Sequence, residues 1–170
     1  SAFDSISRSA MLEGLNSLPG ARVSLKYVRF FYGRESEYLW NDDDGRVHSI
    51  HQGEGGEQGD PLMPMLYALG QHPALVQVNA QLQLGEKLFA FLDDIYITCK
   101  PGRVQPIFDL LAANLWEYAR IRIHLGKTKI WNRGGHQPPG CEHMQDNAGN
   151  QAWRGDPELP TDSQDMKVLG

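Results

Sequence analysis

Leu88-Phe89-Ala90-Phe91-Leu92-Asp93-Asp94-Ile95-Tyr96-Ile97 sets two adjacent carboxylates between short apolar runs rich in aromatic and β-branched residues. Each flank has the composition of a strand, so the stretch predicts a tight hairpin with Asp93 and Asp94 at its turn. Neighbouring carboxylates repel each other, and Asn or Gly would make the same turn without that cost. A hairpin tip bearing two hard oxygen donors suits divalent cations. An ordinary Asp-containing turn is the alternative reading of the same residues.

Around this hairpin, 170 residues at 41% hydrophobic content suffice for one globular domain with a sizeable core. The net charge of -5 argues against holding nucleic acid by bulk electrostatics alone. Cys99 and Cys141 are too few for a disulfide framework. No apolar run is long enough to span a membrane and no secretory signal is visible, which sets the expectation of an intracellular protein, nuclear or cytoplasmic. The first residue is Ser1 rather than Met, and the chain stops at Val168-Leu169-Gly170, as expected of a fragment cut at both ends.

Ser7 predicts the cap of a helix to about Asn16, with Met11, Leu12 and Leu15 on one face, broken at Pro19-Gly20. A second helix is expected over about 21–32, with Leu25, Val28 and Phe31 or Tyr32 together, ending at Gly33. Strands at 37–40 and 46–50 flank Asn41-Asp42-Asp43-Asp44-Gly45, an acidic run that reads as a solvated turn. A glycine-rich loop, 52–59, leads to Asp60-Pro61, the expected cap and first turn of a helix carrying Leu62, Met65, Leu66 and Leu69. Pro73 is expected to restart that helix as a second piece. After the acidic hairpin and Pro101-Gly102 comes an amphipathic helix with Val104, Ile107, Leu111, Leu115 and Tyr118 inward. Strands are expected at 120–125 and 128–131, joined at Gly126-Lys127. From 132 to 165 the pattern fades into an irregular surface insertion whose large apolar anchors are Trp153 and Leu159. The spacing of His136, Cys141 and His143 in it matches no closed zinc site. Residues 166–170 read as the start of a further strand.

Four segments beside the hairpin complete a recognisable order: Ala2-Phe3-Asp4-Ser5-Ile6, Gln58-Gly59-Asp60-Pro61-Leu62-Met63-Pro64, Gly126-Lys127-Thr128-Lys129 and Val168-Leu169-Gly170. With Asp93-Asp94 they resemble motifs A to E of the reverse transcriptase palm, especially the non-LTR retrotransposon and group II intron types. The resemblance implies an α+β, ferredoxin-like polymerase palm with part of the fingers over residues 1–131, interrupted at 132–165 and resuming in motif E at 166–170. It implies an RNA-directed DNA polymerase that joins nucleotides to a primer 3′-hydroxyl with two Mg²⁺ ions, Mn²⁺ being an alternative. The implied partners are an RNA template, a DNA primer, deoxynucleoside triphosphates and the thumb and upstream fingers of a parent polyprotein.

By the same resemblance, Asp93 is the main metal ligand and Asp94 sits beside it toward the primer end. Phe3 closes the sugar pocket against a ribose 2′-hydroxyl. Gln58 and Gly59 lie under the incoming nucleotide and template base, and Lys127 stabilises or protonates the departing pyrophosphate, with Lys129 its nearest rival. The family's catalytic aspartate of motif A falls just upstream of Ser1, and Asp4 matches only the second acid of that motif. The expectation is therefore that the 170-residue chain alone does not polymerise, and that the hairpin presents an exposed edge and limits solubility. Leu92 departs from the Ala, Val or Met usual before the acidic pair. Viral RNA-directed RNA polymerases share the palm but carry Gly before the pair. An RNA-binding sheet without chemistry, or a decayed retroelement relic, is the non-enzymatic rival.

Overall fold

The computed structural model describes residues 3–57 and 59–158. Helix α1, Arg8–Ser17, begins where the Ser7 side chain accepts the Ala10 N–H, and it buries Met11 and Leu15. The helix expected over 21–32 is split. Ala21 and Arg22 bond back to the Leu18 carbonyl, so Pro19–Ser24 winds as a 3-10 turn before α2, Leu25–Tyr32. Of the aromatics on α2, Tyr32 is the one turned inward with Val28.

Strands β1, Ser36–Asn41, and β2, Val47–Gln52, form an antiparallel hairpin in the register Ser36↔Gln52 to Asn41↔Val47. Asp42 closes its turn by accepting the N–H groups of Asp44 and Arg46, while its second oxygen meets the His48 ring. The acidic run is thus turn chemistry.

Helix α3, Met63–Ala80, starts later than expected: Asp60 accepts the Leu62 N–H, and Pro64 occupies the first turn. It also runs unbroken through Pro73, which corrects the expected restart. Proline supplies no N–H to the carbonyl four residues back, which here is Leu69. That carbonyl is covered by α1, where a Cβ on Gly14 would lie 2.5 Å from the Leu69 oxygen. Gly14 and Gly70 let the two helix backbones approach closely, which suits a weak Cα–H contact in place of the missing bond.

Strands β3, Lys87–Phe91, and β4, Asp94–Thr98, make the expected acidic hairpin. Helix α4, Val104–Ala119, buries Ile107, Leu111 and Leu115, and then Ala119 rather than Tyr118, because the inward stripe advances four residues at that end. Arg120 ends it in the left-handed region, and the Ile121 N–H returns to the Leu115 carbonyl.

The strand pair expected at 120–125 and 128–131 is absent from the described residues. Leu125–Lys127 is a 3-10 turn, and Ile130 instead bridges Trp153, bonding Ala152 and Arg154. The segment after 131 is correspondingly more ordered than a surface insertion. Cys141, Met144, Ala152 and Trp153 build a small core with Ile130, against Val104, Phe108 and Leu125. Leu159 and residues 166–170 lie outside the described residues.

The fold is mixed α/β: among the described residues, four α-helices and two two-stranded antiparallel sheets. Helix α3 packs on both α1 and α4, and Leu88, Ile95 and Ile97 of the acidic hairpin close on the same core. No described helix is long and apolar enough to cross a membrane.

The close crossing of α1 and α3 has a test. Gly14→Ala is expected to destabilise by about 1–3 kcal/mol, because the new methyl meets backbone. Gly70→Ala is expected to cost less, because its nearest clash is the mobile end of Ile6. Urea denaturation of the two variants should separate them in that order.

Candidate functional site

Phe91 pairs with Asp94, leaving Leu92 and Asp93 as a two-residue loop. Leu92 sits at φ 53, a left-handed conformation that two-residue hairpins normally give to glycine at this position. The turn is held by α3: the Gln71 side chain donates from Nε2 to the Leu92 carbonyl at 2.5 Å. Gln71 is buried, and its own Oε1 has no hydrogen-bond partner among the described residues.

One helical turn before Gln71 stands Tyr67, also buried. Burial, and then the neighbouring charge of Asp93, hold its phenol above the usual tyrosine range. The Phe3 ring meets Tyr67 edge-on, with centroids 4.8 Å apart. Phe3 thus touches Tyr67, while Asp93 is near enough for its charge to act on the phenol. Asp94 leaves the hairpin differently. It shares the outer face with Phe89, Phe91 and Tyr96, because paired residues point the same way and Leu88, Ile95 and Ile97 face the core. Both aspartates are exposed.

The glycine-rich loop is tied to the Phe3 segment by backbone. Gly55 donates to the Ile6 carbonyl at 2.7 Å and Gly56 to the Phe3 carbonyl at 3.0 Å. A Cβ on Gly55 would fall 2.3 Å from the Asp4 carbonyl, so only glycine fits there. Gly59 has φ +98 and open space where a side chain would stand. Gln58 lies outside the described residues, as do Ser1 and Ala2.

Arg8, which sequence reasoning treated only as helix, is the buried hub of this region. Its guanidinium donates to the Gly55 carbonyl, the Arg34 carbonyl and the Ser36 hydroxyl, and lies 5.4 Å over the Tyr32 ring. Its backbone N–H is taken by the Glu54 carboxylate, a suitable partner for a helix N-terminus. Tyr32 in turn donates to Asp60 through a short hydrogen bond, and burial and that bond push its phenol up to about 12. The sequence signal that points to Gln71 is a polar residue on the otherwise apolar face of Met63, Tyr67, Ala74 and Val78. Nothing local marks Arg8.

Lys127 stands apart. It is exposed on the 3-10 turn Leu125–Lys127, and among the described residues no ion pair or side-chain hydrogen bond joins it to the acidic hairpin. Cys141 is buried in the apolar cluster beyond Ile130, with its thiol pushed up by burial. Among the described residues no three His, Cys, Asp or Glu side chains converge as a metal-binding group.

Two outcomes check this geometry. Leu92→Gly is expected to be more stable than Leu92→Ala by about 1 kcal/mol, since both lose the side chain and only glycine is at ease at φ 53. Equal urea midpoints would show that the turn is not strained. The raised Tyr32 pKa gives an alkaline signature. Its contribution is full below the unfolded value of about 10 and is lost as pH rises toward about 12. Tyr32→Phe should flatten the fall in urea midpoint across that window.

Comparison with protein-family models, with curated proteins and with solved structures finds no match, so the candidate site stands on its own residues and geometry.

Proposed function

We propose that this chain is the palm, with part of the fingers, of an RNA-directed DNA polymerase, its acidic hairpin belonging to a ferredoxin-like sheet. The carrying observation is that segments far apart in sequence meet at one place. Phe3 packs on Tyr67, Asp93 lies within electrostatic reach of the same phenol, and the glycine-rich loop is hydrogen-bonded to the Phe3 segment.

The reaction is an in-line displacement in which a primer 3′-oxygen attacks the α-phosphorus of a deoxynucleoside triphosphate and pyrophosphate leaves. Divalent cations would be held in part by Asp93 and Asp94 and would supply charge stabilisation to the attacking and leaving oxygens. The exposed oxygens of the pair fit that task in part. No third acidic group joins them among the described residues, and by the resemblance the remaining ligand is the catalytic aspartate of motif A. Phe3, braced edge-on by Tyr67, forms the wall against a ribose 2′-hydroxyl. Gly59 leaves room for a nucleotide to approach the backbone. By the resemblance, Lys127 or its rival Lys129 stabilises or protonates the pyrophosphate, although Lys127 stands apart from the hairpin among the described residues.

A second reading draws on the outer face of β3, where Phe89 and Phe91 are exposed. Such a face suits an RNA-binding hairpin without chemistry.

Primer extension on an RNA template, with Mg²⁺ or Mn²⁺, separates the two. The 170-residue chain is expected to give no extension. A version preceded by the family's hydrophobic-x-Asp segment is expected to extend the primer, and Asp93→Asn in it to lower the rate at least about a hundredfold. RNA binding without extension in that version would favour the second reading. Extension indifferent to Asp93→Asn would remove the first.

A further inference from the structure

Between Glu13 and Glu35 the chain carries no carboxylate, while Arg22, Lys26, Arg29 and Arg34 fall inside that interval. In a chain of net charge -5 this is a local reversal of sign. Helix α2 lies at its centre. At about 100° per residue, the order around the helix surface is Arg29, Lys26, Phe30, Tyr27, Phe31, opposite the buried Val28 and Tyr32. The three aromatic rings of that arc are 60%, 69% and 49% exposed at Tyr27, Phe30 and Phe31. They touch one another edge-on, Tyr27 with Phe31 at 5.0 Å and Phe30 with Phe31 at 5.3 Å, an arrangement that leaves ring faces open. Lys26 and Arg29 are exposed and make no ion pair among the described residues. Arg22, by contrast, is held by the Asn16 carbonyl.

We propose that this outward face of α2 binds single-stranded nucleic acid, with bases stacking on Tyr27, Phe30 and Phe31 and phosphates meeting Lys26 and Arg29. Stacking rings bordered by free cations are the two ingredients of sequence-tolerant strand binding. Charge selects this occupant over others. A second copy docked on the same face would bring Lys26 and Arg29 against their own kind. A lipid surface needs more apolar area than an eight-residue helix with no outward leucine provides. The inference does not rest on the acidic hairpin and concerns a separate surface.

The test is fluorescence anisotropy of a labelled oligo(dT) of about 15 nucleotides, titrated with the 170-residue chain at low salt in EDTA, so that no metal site contributes. Saturable binding is expected. Tyr27→Ala with Phe30→Ala should weaken it at least about tenfold. Lys26→Gln with Arg29→Gln should reduce the slope of log affinity against log salt by about 1.4. Circular dichroism checks that the variants fold, and the charge variant, whose side chains are solvated, keeps the test open if the aromatic one does not. The proposal is overturned if the folded variants bind like the parent, or if a duplex of equal length binds as tightly. It is equally overturned if these substitutions abolish self-association or binding to anionic vesicles while leaving oligo(dT) binding intact.

Discussion

The hydrogen bond from the Gln71 amide to the Leu92 carbonyl fixes the acidic hairpin against helix α3, and the candidate site depends on it. A leucine at φ 53 is a poor turn residue, worth roughly 1–2 kcal/mol of backbone strain for an L-residue in the left-handed region. Such a conformation persists only where its surroundings over-determine it. Here the surroundings are a buried amide on one side and apolar packing of Leu88, Ile95 and Ile97 on the other. At the open end of the hairpin, Glu86 is paired with Arg103 through both carboxylate oxygens, and the guanidinium holds that carboxyl below its usual range. A two-stranded sheet alone is marginal in water. This one is clamped at both ends and backed by the core, so its tip is held in a defined position against Gln71 of α3.

Glycine edges set the rest of the geometry. Gly14 and Gly70 bring α1 and α3 so close that the Leu69 carbonyl faces backbone rather than a side chain. Gly55 does the same between the loop and the Phe3 segment, Gly56 makes room for the Met63 side chain, and Arg8 locks that loop from the other side. The loop at Gly55 and Gly56 is therefore tied to the rest of the fold, although it lacks regular structure. Its order comes from hydrogen bonds made at long sequence separation, which also explains why it survives without an apolar core of its own.

These long separations mark what could and could not be read from the residues. The acidic hairpin was legible because alternation and turn chemistry are local, and its register follows from which residues are apolar. Helices α1 and α4 were legible from their spacing, apart from the choice between Tyr118 and Ala119. Residues 128–131 were misread as half of a hairpin because their composition is strand-like and their true partner is Trp153, more than twenty residues on. The run through Pro73 was misread because Ala74 and Val78 beyond it are buried in the core, and that tertiary packing outweighs the one bond that proline omits. At the candidate site, motif order singled out Asp93 and Phe3 but not what lies between them. Tyr67, which joins them, looked like one more apolar helix residue.

The hairpin register also separates the roles of the two aspartates. Asp94, paired with Phe91, belongs to the outer face, with Phe89 and Tyr96 beside it. Asp93, in the loop, is close enough to Tyr67 for its charge to be felt by the phenol. Consecutive acids that diverge in this way relieve the repulsion that made the pair conspicuous in the sequence. Asp93 acts toward α3 through the Tyr67 phenol, and Asp94 stands on the open aromatic face of the hairpin. Asp94 faces solvent on the outer side, beside the exposed Phe89 and Phe91 rings. The asymmetry follows from one strained leucine, since a different turn length would send both carboxylates to other faces.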